Sequence, residues 1–92
     1  MKFVYPGIIA ELPDGSYHVR FPDLDMCEAR GRDLEEALEN AKEAERSWIE
    51  LELSEEDFEL PSKSMLSELR LEPNETVRSI SVNIRLMEGY DE

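Results

Sequence analysis

Cysteine and histidine are nearly missing from this chain, which holds one of each, Cys27 and His18, in 92 residues. A single thiol closes no internal disulfide, so the fold is not a disulfide scaffold and suits a reducing compartment. Cys27 reads as a small buried apolar residue. No second imidazole or cysteine is placed to share a metal or a proton with His18, which reads as an exposed strand residue. Long apolar runs are absent too, so neither a signal peptide nor a membrane span is expected, and the chain is taken as cytoplasmic with no membrane partner. No glycine-rich phosphate loop occurs. Basic residues are few, 10 against 23 acidic ones, for a formal charge of −13. Nothing in that balance would release counterions from DNA or RNA, so direct nucleic-acid binding is not expected. A basic partner would be attracted quickly and in a salt-dependent way. Acidity also keeps a small protein soluble, and charge alone weighs the two readings equally.

What is present is one long helical pattern. Asp33 and Glu36 have the spacing of a capping box, and Gly31 lets the chain turn out of the preceding extended segment. Leu34, Ala37, Leu38, Ala41, Ala44, Trp48 and Leu51 recur at three- and four-residue steps, giving an apolar stripe on a helix from Leu34 to about Leu53. Its alanine-rich middle suits close approach to a flat sheet. The carboxylates at its end (Glu50, Glu52, Glu55, Glu56, Asp57) oppose the helix dipole, so fraying past Leu51 is expected.

The remaining segments supply the sheet. Phe3–Glu11 is strand-like with apolar residues on both faces, so one face takes the helix and the other needs a second cover. Pro6 implies a bulge or an unpaired position. Leu12-Pro13-Asp14-Gly15-Ser16 is a turn, and Tyr17–Phe21 alternates, with Tyr17, Val19 and Phe21 inward and His18 and Arg20 outward. Pro22–Met26 is a loop, and Cys27–Arg30 a short third strand. Ser64 could cap one turn containing Met65, Leu66 and Leu69, or that apolar trio packs across a sheet edge. Thr76–Leu86 is a last strand with Ile80, Val82, Ile84 and Leu86 inward. The order is β-β-β-α-β in one domain, residues 1–92. A domain this small buries only about 60–65% of its unfolded surface, which favours self-association.

Constellations for chemistry are weak. Asp23-x-Asp25 with Glu11, Asp14 and Asp33 could be drawn as a Mg²⁺ cluster, but turn and capping roles account for Asp14, Asp23 and Asp33. Ser62, Ser64 and Ser67 lack a nucleophile elbow and have only His18 as a possible base. No catalytic residue, metal site or cofactor is assigned.

Phe3-Val4-Tyr5-Pro6, the hairpin ending in Phe21-Pro22-Asp23-Leu24, Cys27, Gly31 and the run Leu34-Glu35-Glu36-Ala37-Leu38-Glu39-Asn40-Ala41-Lys42-Glu43-Ala44 resemble the HicB antitoxin family. Leu60-Pro61-Ser62 is similar to that family's Pro-Ser linker, and the strand ending at Leu86 to its closing strand. Asp25-Met26 departs from the pattern, which has Pro-Gly before the cysteine. The resemblance implies an α+β, partial RNase H-like fold: a mixed four-stranded sheet with one long helix on one face and the fourth strand beside the first. It also implies a non-enzymatic protein that blocks a HicA-type toxin, a small basic ribonuclease acting on mRNA. Many family members carry a C-terminal DNA-binding module; six residues follow Leu86, so no separate DNA-binding domain and no operator binding by this chain alone are expected.

The leading expectation is an acidic antitoxin-like module that masks a basic toxin. From charge and exposure alone, its contact residues are Asp23, Asp25 and Glu28, then Glu39 and Glu43. The alternative is a stand-alone oligomeric interaction module, a homodimer or homotetramer with no toxin partner. A metal-dependent hydrolase on the same scaffold is the third reading.

Overall fold

The central strand is β1, Lys2–Glu11, and the computed structural model describes the chain around it over residues 2–55 and 60–84. A tight turn follows, in which the Leu12 N–H donates to the Ser16 carbonyl and Gly15 takes a positive φ of 89°. β2 (Tyr17–Arg20) pairs antiparallel with β1, and β3 (Glu28–Gly31) pairs antiparallel with β2. The helix α1 covers Leu34–Leu53, a single 3₁₀ turn covers Leu66–Glu68, and β4 (Glu75–Asn83) closes the sheet in the order β3-β2-β1-β4. The element order and the α+β class are those expected. Leu86 and Arg85 of the expected last strand lie outside the described residues.

All three pairings are antiparallel, where a mixed sheet was expected. The reason is the path after α1. A helix of 20 residues spans about 30 Å. It leaves from the end of β3 and finishes at the far end of the sheet. β4 starts beside Glu11, at the helix's own N-terminal end, and so runs against β1 rather than with it.

Pro6 makes no bulge: β1 keeps an unbroken register with β4 from Lys2↔Asn83 to Ala10↔Glu75. The β1–β2 register stops at Ile8↔Arg20. Its next hydrogen-bonding position would set Pro6 against Pro22, two residues with no N–H, and the ladder ends there. Pro6 is thus unpaired on one side only.

One face of the sheet holds the core, with Tyr5, Ile9, Val19, Phe21, Ile80, Val82 and Ile84 packed against α1. Ala37, Ala41, Glu45 and Ile49 are the fully buried helix positions, a four-residue step running down one line. Leu34, Leu38, Ala44 and Trp48 flank it. Leu51 was expected in the stripe but is 70% exposed. With the buried line at 45 and 49, position 51 points about 120–160° away from it. Nor does the helix stop at Leu51. The Ser54 N–H donates to the Glu50 carbonyl and its hydroxyl to the Leu51 carbonyl, closing the last turn despite the acidic residues.

Gly31 is needed for contact rather than for its φ. A Cβ built there would lie 2.2 Å from the Ala37 nitrogen, so the first turn of α1 rests on the bare backbone of β3. No described helix covers the opposite face. Its second cover is supplied by charged side chains: Arg20 on β2 pairs with Glu75 on β4 at 3.5 Å, passing over β1 between Ile8 and Ala10. On this face Ile8 is only 2% exposed.

Candidate functional site

The far end of the sheet, where α1 finishes, gathers the polar residues least explained by the fold. The loop Pro22–Met26 anchors Leu24 in the core, while the Trp48 indole N–H donates to the Asp25 carbonyl at 2.9 Å. A strap formed by Leu60–Ser64 crosses beside it. The Tyr5 hydroxyl donates to the Pro61 carbonyl at 2.6 Å, and Ser64 donates both its N–H (2.8 Å) and its hydroxyl (2.5 Å) to the Asp23 carboxylate. Ser64 therefore serves the loop and does not cap the turn that follows. Of that turn's apolar trio, Met65 is exposed and Leu69 half-buried.

Beneath this end lies Glu45, wholly buried, with neither carboxylate oxygen hydrogen-bonded. Burial pushes its carboxyl up to about 8, against an opposing pull from Arg46. Its neighbours respond in kind. Burial raises the Tyr5 hydroxyl, helped by the charges of Asp23 and Glu45. Burial also pushes the Cys27 thiol up to about 11, helped by Glu45 and Glu28, so the thiol is inert at neutral pH. The periodic pattern of apolar residues passes over position 45, and only the 37–41–45–49 line marks it as inward.

Met26 has φ 61°, a left-handed conformation that favours glycine, and its side chain is 90% exposed. The glycine of the family pattern would fall at this position, and the backbone keeps the turn without it.

The five residues picked as partner contacts fall in different places. Asp25 and Glu39 are exposed. The Asp23 carboxylate is taken by Ser64, and Glu43 is held by Arg46 at 2.8 Å. Glu28 meets His18 at 2.5 Å on the helix-free face of the sheet. Asp23 and Asp25 share the loop, and Glu39 and Glu43 share the outer side of α1. Glu28 lies across the sheet from that helix, so the five do not form one patch.

The other acidic residues hold local structure. Asp33 accepts from the Glu36 N–H at 2.8 Å, and Glu36 reaches back to the Arg32 N–H at 2.6 Å, which holds its carboxyl low. Asp14 accepts from Ser16 within its turn, and this lowers its carboxyl as well. Among the described residues, no group of three or more His, Cys, Asp or Glu side chains is arranged to hold a metal ion. No described helix is long and apolar enough to cross a membrane.

Residues 5–88 match the family described as the HicB_like antitoxin of bacterial toxin-antitoxin system. Among solved structures, the N-terminal domain of the Burkholderia pseudomallei antitoxin HicB is similar at 25% identity and a TM-score of 0.72, over 89% of this chain and all of that one. A toxin–antitoxin complex from Streptococcus pneumoniae is similar at 25% identity and a TM-score of 0.69, over 90% of this chain and 70% of that one. A HicA3–HicB3 toxin–antitoxin complex is similar at 26% identity and a TM-score of 0.63, over 84% of this chain and 94% of that one. No curated protein matches.

Proposed function

As the chain belongs to the HicB-like antitoxin family of bacterial toxin–antitoxin systems, we propose that it binds a small basic toxin of the HicA type and silences it by covering it. The observation that carries this reading is the family match across residues 5–88. The similarity to chains solved within toxin–antitoxin complexes supports it. In this reading the chain carries out no reaction of its own and works in the cytoplasm beside its toxin.

Its charge supplies the recognition. A protein at −13 attracts a basic partner over several ångströms of solvent and speeds encounter, with a steep dependence on salt. The same charge opposes direct contact with nucleic acid. The contact set is Asp23, Asp25, Glu28, Glu39 and Glu43. Asp25 and Glu39 come first, because each is exposed and has no ion pair among the described residues. Glu28 and Glu43 each commit one carboxylate oxygen to His18 or Arg46 and keep the other for a partner, whereas Ser64 engages both oxygens of Asp23.

The test is co-expression with the small basic reading frame adjacent to this one. Relief of growth arrest and co-purification of the two chains are expected. Persistent arrest with a folded, soluble antitoxin that does not co-purify refutes the reading. Within a complex, Asp25→Asn combined with Glu39→Gln is expected to slow association several-fold at low salt and little at high salt. An unchanged rate at low salt removes both from the interface.

A further inference from the structure

Charge accounts for encounter better than for choice. A chain at −13 attracts any basic protein, so keeping one partner and not another calls for a desolvated contact as well. Large apolar side chains stand exposed among the described residues at Met26, Leu51, Met65 and Leu71. Single exposed apolar residues are ordinary on a protein surface. Met26 differs from the other three in its backbone. It is the only described non-glycine residue with a positive φ, 61°, and it is also the most exposed of the four, at 90%. A left-handed residue that carries a Cβ is strained, and a side chain standing in water returns nothing to the fold for that strain.

The loop that carries Met26 is braced. The Phe21 N–H donates to the Cys27 carbonyl, the Leu24 N–H to the Phe21 carbonyl and the Cys27 N–H to the Leu24 carbonyl. From outside the loop, Trp48 fastens Asp25 and Ser64 fastens Asp23. A side chain presented on such a support costs little further ordering when it enters a contact. Beside Met26 opens a cleft of about 210 Å³, lined by Arg20, Phe21, Pro22, Met26, Cys27 and Glu28. Arg20 is paired with Glu75, and Glu28 gives Oε1 to His18, which leaves Glu28 Oε2 unpaired among the described residues.

We propose that Met26 is the apolar anchor of the toxin-binding surface: an apolar side chain of the basic toxin enters the cleft against the Met26 thioether, and a lysine or arginine beside it reaches Glu28 Oε2 and the Asp25 carboxylate. The anchor rests on the antitoxin reading and adds to it the contact that selects and retains the partner. Methionine suits the place, because an unbranched, polarisable side chain moulds to whatever surface is set against it. The charges agree with a cationic neighbour. Arg20 is committed to Glu75, while Asp25 and Glu28 Oε2 remain open beside the cleft. Burial of the thioether in the complex then offsets the strain that the free chain carries at this position.

Binding and stability are expected to part company at this residue, which supplies the test. Variants of the full chain are titrated with the small basic protein encoded beside it, and dissociation is followed at about 0.1 M and about 0.5 M salt. Met26→Gly relaxes the backbone and Met26→Ala keeps the strained φ; both remove the thioether. Each is expected to raise the dissociation constant about tenfold, chiefly through faster dissociation and by a similar factor at both salt concentrations. Met26→Gly is also expected to raise the Tm of the free chain, so weaker binding by that variant is not a loss of fold. Under dilute peroxide, Met26 is expected to form its sulfoxide readily in the free chain and slowly in the complex, read by mass spectrometry. If the parent binds and both variants bind as tightly, the anchor is refuted while the antitoxin reading stands. Unprotected Met26 in a formed complex refutes the anchor in the same way. A folded parent chain that does not bind the basic protein at all refutes both.

Discussion

Replacing Glu45 is the sharpest perturbation of this fold. The side chain is wholly buried, both oxygens lack partners, and its carboxyl is pushed up to about 8 from an ordinary 4.5. Between those values the folded chain holds a proton that the unfolded chain has lost. Stability contributed by the neutral acid is therefore full below pH 4.5, falls as pH rises, and stops falling near pH 8. The slope approaches about 1.4 kcal/mol per pH unit, so roughly 3 kcal/mol is lost between pH 5 and pH 8. That is a large share of the ~5–15 kcal/mol that holds a typical domain together. Glu45→Gln keeps the shape and removes the titration, whereas Glu45→Met also removes the unpaired polar atoms. Urea unfolding followed by Trp48 fluorescence at pH 5, 6, 7 and 8 compares the three proteins. The gap between wild type and either variant is expected to shift by about 3 kcal/mol across that range in the variant's favour, with Glu45→Met the most stable at pH 8. Self-repulsion of the acidic surface acts on all three and cancels in the difference. Parallel stability profiles would refute the reasoning, because they would mean that Glu45 is already ionised and solvated in the folded chain.

Gly31→Ala puts a methyl into the backbone of Ala37, so a loss of about 3 kcal/mol or failure to fold is expected, read from the denaturation midpoint. Ser64→Ala removes the hydroxyl bond to Asp23 and should cost about 1–2 kcal/mol; limited proteolysis of the strap would show it opening before the sheet does. Met26→Gly relieves a left-handed backbone at an exposed position and is expected to stabilise by about 0.5–1 kcal/mol, visible as a higher Tm.

Much of the functional reading was open to sequence reasoning because its signals are local or bulk. The acidic surplus belongs to composition. The pattern from Phe21 through Ala44 that resembles the antitoxin family is contiguous enough to read directly. The contact residues were harder. Exposure of Asp25 and Glu39 follows from loop and helix position, but whether a carboxylate is free depends on what folds against it. Asp23 turned out to receive two bonds from Ser64, a residue 41 positions away, and no spacing rule connects them.

The same division runs through the molecule. Short-range rules fixed the turn at Gly15, the cap at Asp33, the extent of α1 and the inward parity of Val19, Phe21, Ile80 and Val82, because dihedral preference and side-chain periodicity act within a few residues. Only the folded arrangement decided that β4 runs against β1, that Arg20 and Glu75 roof the helix-free face, that Tyr5 and Asp23 hold the strap, and that Glu45 is buried without a partner. Each of these sets residues far apart in sequence against one another. Desolvation, pairing and edge exposure belong to the space between segments, and a chain read in order carries no measure of that space.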